Sequence, residues 1–210
     1  KLARVYERLG EWSKAAAAWQ YASSLNAMRT DYVDARLLAL FRAQSYEALA
    51  SALDILQKRS PLPPKQAVLS GLAQVKTNRT DRARELLEAL AGQEVLTSPA
   101  GPLLNLYVNA RNIPRDELVS ALTEITRAPE PAVAFDAMNA LAGIALGAQD
   151  FAEAEKWLLA ASAILPESGQ ILLGNLYFMR QDFDRALPLY EQILKRDSNP
   201  DIATRLGEIH

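Results

Sequence analysis

A single histidine, His210 at the last position, and a complete lack of cysteine restrict the chemistry open to this chain of 210 residues. A Ser-His-Asp or Cys-His nucleophile needs an imidazole beside it. A metal site built from imidazole or thiolate needs more than one such ligand, so neither has its parts here. Carboxylate pairs remain. Glu153/Glu155 and Glu85/Glu88 could in principle flank a glycosidic bond as acid and base. Both pairs lie in amphipathic stretches with Lys or Arg close by, where carboxylates ordinarily form a solvated face or ion pairs. Gly71, Gly92 and Gly101 do not form a phosphate loop, since neither GxxxxGK nor GxGxxG occurs. The basic cluster Arg79, Arg82 and Arg84 is balanced by Asp81 and Glu85 and reads as helix surface rather than an RNA track. The residues therefore lead us to expect a protein that is not an enzyme and uses no metal or other cofactor.

Charge and hydropathy narrow the partners. Lys and Arg number 23 against 25 Asp and Glu, a net charge of −2, which lacks the basic field of a sequence-independent nucleic-acid binder. No apolar run approaches the ~18 residues that a spanning helix needs, so no membrane insertion is expected of this segment. The sequence opens on Lys1 without Met or a leader, which suggests an excerpt of a longer protein.

Without chemistry to position, the organisation of the chain becomes the main signal. Ala and Leu dominate, β-branched runs are nearly missing, and an all-α protein follows. Three stretches align with one another: 2–19 (LARVYERLGEWSKAAAAW), 141–158 (LAGIALGAQDFAEAEKWL) and 173–190 (LGNLYFMRQDFDRALPLY). Each has Leu before a small residue (Ala3, Ala142, Gly174), an aromatic nine on (Trp12, Phe151, Phe183), and Ala three further (Ala15, Ala154, Ala186). A large apolar residue follows after four more (Trp19, Leu158, Tyr190). The intervening chain fits less cleanly, with Tyr46, Thr80 and Arg115 at the aromatic position and Leu49, Ala83 and Leu118 at the Ala position. Successive units are offset by 34, 34, 35, 36 and 32 residues.

Prolines keep the same rhythm: Pro61, Pro63 and Pro64; Pro99 and Pro102; Pro129 and Pro131; Pro166; Pro200. Proline lacks an N–H donor and disfavours α geometry in the residue before it, so each cluster marks a helix end. Pro114 can open a helix, whereas Pro188 falls inside one and should bend it. Within a unit the apolar spacing is three and four, as in Ala154, Trp157, Leu158, Ala161 and Leu165. Asp150 and Asp182 are placed to cap second helices, and Thr80 or Asp81 to cap the helix over 82–91. Two short helices approach closely only if one supplies Ala or Gly where the other supplies a large knob. Trp12, Trp19, Phe151, Trp157, Phe183 and Tyr190 are accordingly expected in the inter-helix core. The stretch 91–102 (AGQEVLTSPAGP) is the longest irregular segment, either a plain connection or a loop with a binding determinant.

A Leu-small pair, Tyr or Ala three on (Tyr6, Ala145, Tyr177), Gly10 before the aromatic, then Ala15, Trp19, Ala22 and a closing Pro166 resemble the tetratricopeptide repeat. The resemblance implies a right-handed α-α superhelix of antiparallel helix pairs. It runs through the whole of 1–210 as one solenoid fragment, with repeats at 1–28 (truncated), 30–62, 64–96, 99–131, 136–167, 168–199 and 200–210 (truncated). Units 1–28, 136–167 and 168–199 carry the pattern strongly; the middle three are degenerate. First helices of that family line a concave groove that holds peptides or partner domains. By that likeness the candidate partner-binding residues are Arg4, Arg8, Asp34, Arg42, Lys76, Tyr107, Arg111, Asn139 and Asn175, each of which could equally be ordinary solvated surface. The Lys/Asn set with which chaperone-binding members clamp a terminal carboxylate does not occur in register.

The Ala- and Leu-rich units with Trp in the second helix (AAAAW, AEKWL) are also similar to the periplasmic repeat arrays of bacterial exopolysaccharide exporters, the Pel type in particular. That likeness implies a non-catalytic scaffold recruiting a protein partner, such as a polysaccharide-modifying enzyme, in the periplasm. A cytoplasmic setting is the alternative location. Alternative roles are direct binding of a charged polysaccharide along Arg4, Arg8, Arg42, Lys76 and Arg111, or a spacer between an anchor and another domain.

Overall fold

The computed structural model describes residues 1–26, 29–196 and 199–209, with the side chains of Thr97 and Arg196 left aside. His210 lies outside them. The described residues hold thirteen α-helices and no strand. In chain order these are α1 (Leu2–Leu9), α2 (Trp12–Leu25), α3 (Thr30–Arg42), α4 (Tyr46–Gln57), α5 (Pro64–Lys76), α6 (Thr80–Ala89) and α7 (Ala100–Asn109). They continue with α8 (Arg115–Ile125), α9 (Pro131–Gly147), α10 (Phe151–Ile164), α11 (Pro166–Met179), α12 (Phe183–Arg196) and α13 (Pro200–Ile209). Short 3-10 helices cover Glu94–Thr97 and Ala110–Asn112. The fold class is all-α, as expected.

The chain divides into two compact units, Lys1–Val133 and Ala134–His210, with the division inside α9. In the first unit the helices from α1 to α8 pack mainly on their chain neighbours, α5 also meeting α7. In the second, α10 packs on α11, α11 on α12 and α12 on α13. Such packing follows from short helices with one apolar stripe, none of which buries that stripe alone.

Backbone geometry makes the helix pairs. Trp12, Tyr46, Thr80, Arg115, Phe151 and Phe183, the six positions at which the period was counted, are the first residues of α2, α4, α6, α8, α10 and α12. Two residues before five of those helices the chain turns left-handed, at Gly10 (φ 74°), Gln44 (56°), Asn78 (60°), Gln149 (59°) and Gln181 (58°). The next N–H in each case bonds a carbonyl five residues back, for example Ser45 to Leu40 at 3.0 Å and Asp182 to Tyr177 at 2.9 Å. This is the Schellman closure of a helix C-terminus. Only Gly10 adopts φ > 0 without a steric penalty. The fourth pair departs from the rule, with a 3-10 turn and an extended Ile113 (φ −101°, ψ 129°) leading to Pro114.

Three residues into the second helices the small or aliphatic residue is sealed: Ala15, Leu49, Ala83, Ala154 and Ala186 are all 0% exposed. The knob-and-gap rule is clearest in the last pair. A Cβ on Gly174 would stand 2.6 Å from Cε1 of Tyr190, itself 0% exposed. Trp19 is buried as well. Phe151 (37% exposed) and Phe183 (38%) are not in the core, contrary to the expectation, because the first residue of a helix sits at the rim of the packed layer. Trp12 and Trp157 are half-buried.

Asp150 caps α10, its Oδ1 accepting from the Glu153 N–H at 3.0 Å. Thr80 and Asp81 do not cap α6. The Asp81 carboxylate instead accepts from Arg84 at 2.8 Å, and α6 has no side-chain cap. Pro188 lies within α12, which continues through it. The stretch 91–102 is less irregular than expected, since it contains the 3-10 helix Glu94–Thr97 and α7 starts at Ala100. Gly101 permits this compaction: a Cβ there would lie 2.5 Å from Cα of Leu96.

Candidate protein-interaction surface

The first helices of the pairs carry eight of the nine candidate residues, and the structure gives the nine very different surroundings. In the first unit, Arg4 and Arg8 are exposed on α1, with Arg8 Nε donating a long bond to the Arg4 carbonyl at 3.4 Å. Asp34 is exposed on α3 and accepts from Gln66 Nε2 at 2.7 Å. Arg111 is exposed in the 3-10 turn after α7. In the second unit Asn139 is half-buried on α9. Asn175 Oδ1 on α11 accepts from the Tyr190 hydroxyl at 3.1 Å and from Arg205 on α13.

Of the nine, two meet through their side chains. Lys76 Nζ bonds the Tyr107 hydroxyl at 3.1 Å and stands 4.6 Å from that ring and 5.6 Å from the Tyr46 ring. A lysine flanked by two ring faces has its ammonium held by the ring quadrupoles. The spacing of 30 and 31 residues between these three positions is the one sequence signal that could have shown Tyr46 to belong with them.

Arg42 is already engaged within the chain. Its guanidinium meets the Glu130 carboxylate in a two-point pair, 2.9 Å from Nε and 3.0 Å from the second terminal nitrogen, and stacks 4.8 Å from the Trp12 ring. Both charged side chains are partly exposed, at 23% and 30%. Glu130 and Trp12 were not among the candidates. Glu130 lies between two prolines 88 residues beyond Arg42, and nothing in the local sequence points to the contact.

A cleft of about 860 Å3 opens at the start of α3 and α5, with Asp34, Leu37, Pro64, Gln66, Leu69 and Val95 among its walls. Val95 comes from the 91–102 stretch, so that stretch forms part of the cleft rather than a mere connection. Apolar walls with a few polar groups at the rim suit an apolar side chain with polar flanks. Not far along α3, Arg36 is half-buried, its Nε has no hydrogen-bond partner, and burial pushes its guanidinium below the ordinary value.

Three of the four carboxylates considered for catalysis are ion-paired. Glu153 meets Lys156 at 2.9 Å and Glu85 meets Arg82 at 3.2 Å. Glu155 gathers Arg185 (2.7 Å), Arg180 (3.0 Å) and the Tyr177 hydroxyl (3.0 Å), tying α10 to α11 and α12. Burial and then the Glu155 bond push the Tyr177 hydroxyl up, while the Arg185 hydrogen bond holds the Asp182 carboxyl below the usual carboxylate range. No group of three metal-ligating side chains occurs among the described residues, and none of their helices is long and apolar enough to cross a membrane.

Residues 171–210, which hold most of α11 and all of α12 and α13, match the tetratricopeptide repeat family. No curated protein matches the chain in sequence. The fold is similar to that in the crystal structure of a tetratricopeptide repeat protein from Parabacteroides merdae, with a TM-score of 0.58 and 14% identity, over 98% of this chain and 80% of that one. Tetratricopeptide repeat proteins generally bind protein partners and do not catalyse reactions. This chain thus ends in a tetratricopeptide repeat match and has, along its length, the all-α fold of a tetratricopeptide repeat protein.

Proposed function

We propose that this chain is a non-catalytic scaffold that recruits a partner protein along the first-helix face of the unit 1–133. One observation carries the reading: the cleft at α3 and α5, with its apolar floor, polar rim and wall from the 91–102 stretch, in a chain with the fold of a tetratricopeptide repeat protein. Asp34 and Gln66 offer polar contacts at its edge, and Leu37 and Leu69 offer the apolar seat. Farther along, Lys76 and Tyr107 form a polar, aromatic ledge. The finer setting we infer is a bacterial exopolysaccharide synthesis or export complex in the periplasm, with a polysaccharide-modifying enzyme as partner. Its support is the texture of the Ala-rich units with Trp in the second helix.

The experiment is co-purification and calorimetry of the protein with the modifying enzymes of such a complex, comparing the parent with Leu69→Glu and Asp34→Arg. Binding that the parent shows and both variants lose supports the reading. Binding unaffected by either substitution moves the partner to another surface, and binding to none of the enzymes removes the exopolysaccharide setting. Direct binding of a charged polysaccharide is the weaker reading, because the Arg42 guanidinium is already paired with the Glu130 carboxylate.

A further inference from the structure

Pro61, Pro63 and Pro64 do more than separate α4 from α5. A proline ring holds φ near about −65°, and the residue before a proline is kept extended. Leu62 and Pro63 each precede a proline, and Pro63 has φ −55° and ψ 149°. Those are the angles of polyproline II. Pro61–Pro64 therefore forms a ridge set in that conformation, one turn of three residues and about 9 Å long. Three residues per turn give the ridge three edges. Leu62, on one edge, is half-buried. Pro61 and Pro64 share the second edge and Pro63 lies on the third, and all three prolines are exposed. Both ends are tied into helices: the Ser60 N–H donates to the Leu56 carbonyl at 3.2 Å, and the Pro63 carbonyl accepts from the Ala67 N–H at 2.9 Å. Between them, no N–H among the described residues bonds the Pro61 or Leu62 carbonyl, so two acceptors stay open.

The flanks of the ridge are basic. Residues 58–65 read KRSPLPPK, with three cations and no acid. Lys58, Arg59 and Lys65 are exposed, and none of their side chains has a hydrogen bond or ion pair among the described residues. We propose that residues 58–65 dock a partner domain whose groove is lined by Tyr and Trp and rimmed by carboxylates, the kind of groove that SH3 domains present to a PxxP segment. Its rings flank Pro61 and Pro64, its Tyr and Trp donors reach the two open carbonyls, and its acids meet the three cations. The ridge is already in the bound conformation, so docking costs little ordering of the chain. Pro63 and Pro64 also stand in the wall of the cleft at α3 and α5, whereas Lys58, Arg59 and Pro61 do not line it. An anionic membrane would use the cations and be indifferent to the proline rings.

The test is titration of a 15N-labelled SH3 domain with an acidic rim by the unlabelled protein, followed through the signal of its groove tryptophan. The same domain with its rim acids changed to Lys is the charge control. We expect saturable shifts with a Kd of about 10–100 μM, weakened about tenfold or more by the Lys rim and by high salt. Pro61→Ala and Arg59→Glu should each weaken binding by about tenfold and leave the helical circular dichroism unchanged, since both residues are exposed and outside the helices. Leu69→Glu, on the floor of the cleft, should leave it intact, so this proposal and the cleft reading can fail separately. Three results overturn the proposal: no shifts up to about 1 mM, equal binding to both rims, or binding that survives Pro61→Ala. Partition to phosphatidylglycerol vesicles that Arg59→Glu abolishes and Pro61→Ala leaves unchanged assigns the segment to an anionic surface and also overturns it.

Discussion

Arg42 illustrates how a side chain's role depends on what the fold brings to it. On an amphipathic first helix it is a candidate to receive a partner, yet Glu130 and Trp12 occupy its edge and its face. A two-point Arg–carboxylate pair with partial exposure is stronger than a typical surface pair, which contributes up to about 1 kcal/mol. We expect Glu130→Gln to lower stability by about 1 kcal/mol in urea unfolding and to change the emission of Trp12, whose ring the guanidinium covers. Arg42→Lys should not substitute, because an ammonium lacks the planar fork. Unchanged stability together with unchanged emission would show the contact to be dispensable. Lys76 and Tyr107 were legible because each sits at a recurring place on a first helix; Glu130 was not, because its partner is 88 residues away and no period connects them.

At the scale of the elements, most of the pattern could be read directly. The six positions counted for the period turned out to be helix starts, and the positions three residues on are sealed in five of six cases. The left-handed turn before five of the six second helices was not legible, since three of its five occupants are Gln, a residue with no preference for φ > 0. Gln149 is exposed, and we expect Gln149→Gly to stabilise the protein by about 0.5–1 kcal/mol by removing that strain. Gln44 should behave differently. Its side chain donates to the Phe41 carbonyl at 3.2 Å and accepts from the Tyr46 hydroxyl at 2.5 Å, so Gln44→Gly should gain less. Equal shifts for the two in thermal melts would argue that strain is not the cause. Packing supplies the opposite case. Gly174→Ala sets a methyl against the sealed Tyr190 ring and should cost about 1–3 kcal/mol. Combining it with Tyr190→Leu should cost less than the two changes added together, and strict additivity in the double-mutant cycle would contradict the contact.

The whole molecule consists of two compact units with unlike charge. Residues 1–133 hold 17 Lys and Arg against 14 Asp and Glu, and 134–210 hold 6 against 11, for net charges of +3 and −5. Helices in each unit pack mainly on chain neighbours, so a lesion in one unit should remain local. We expect Gly174→Ala to lower the urea midpoint reported by Trp157 and to leave that reported by Trp19 nearly unchanged, each measured with the other two tryptophans replaced by Phe. A common shift at both probes would show that the chain unfolds as one cooperative block. What the sequence determined by itself is the class of structure and its rhythm. Apolar spacing of three and four, alanine opposite an aromatic, and proline at the handovers act within one or two helices, so local sequence contains all their terms. Tertiary structure alone decided which of the nine candidates are bonded within the chain and that the 91–102 stretch walls a cleft. Those outcomes depend on which residues far apart in the chain become neighbours, a relation that helical periodicity does not encode.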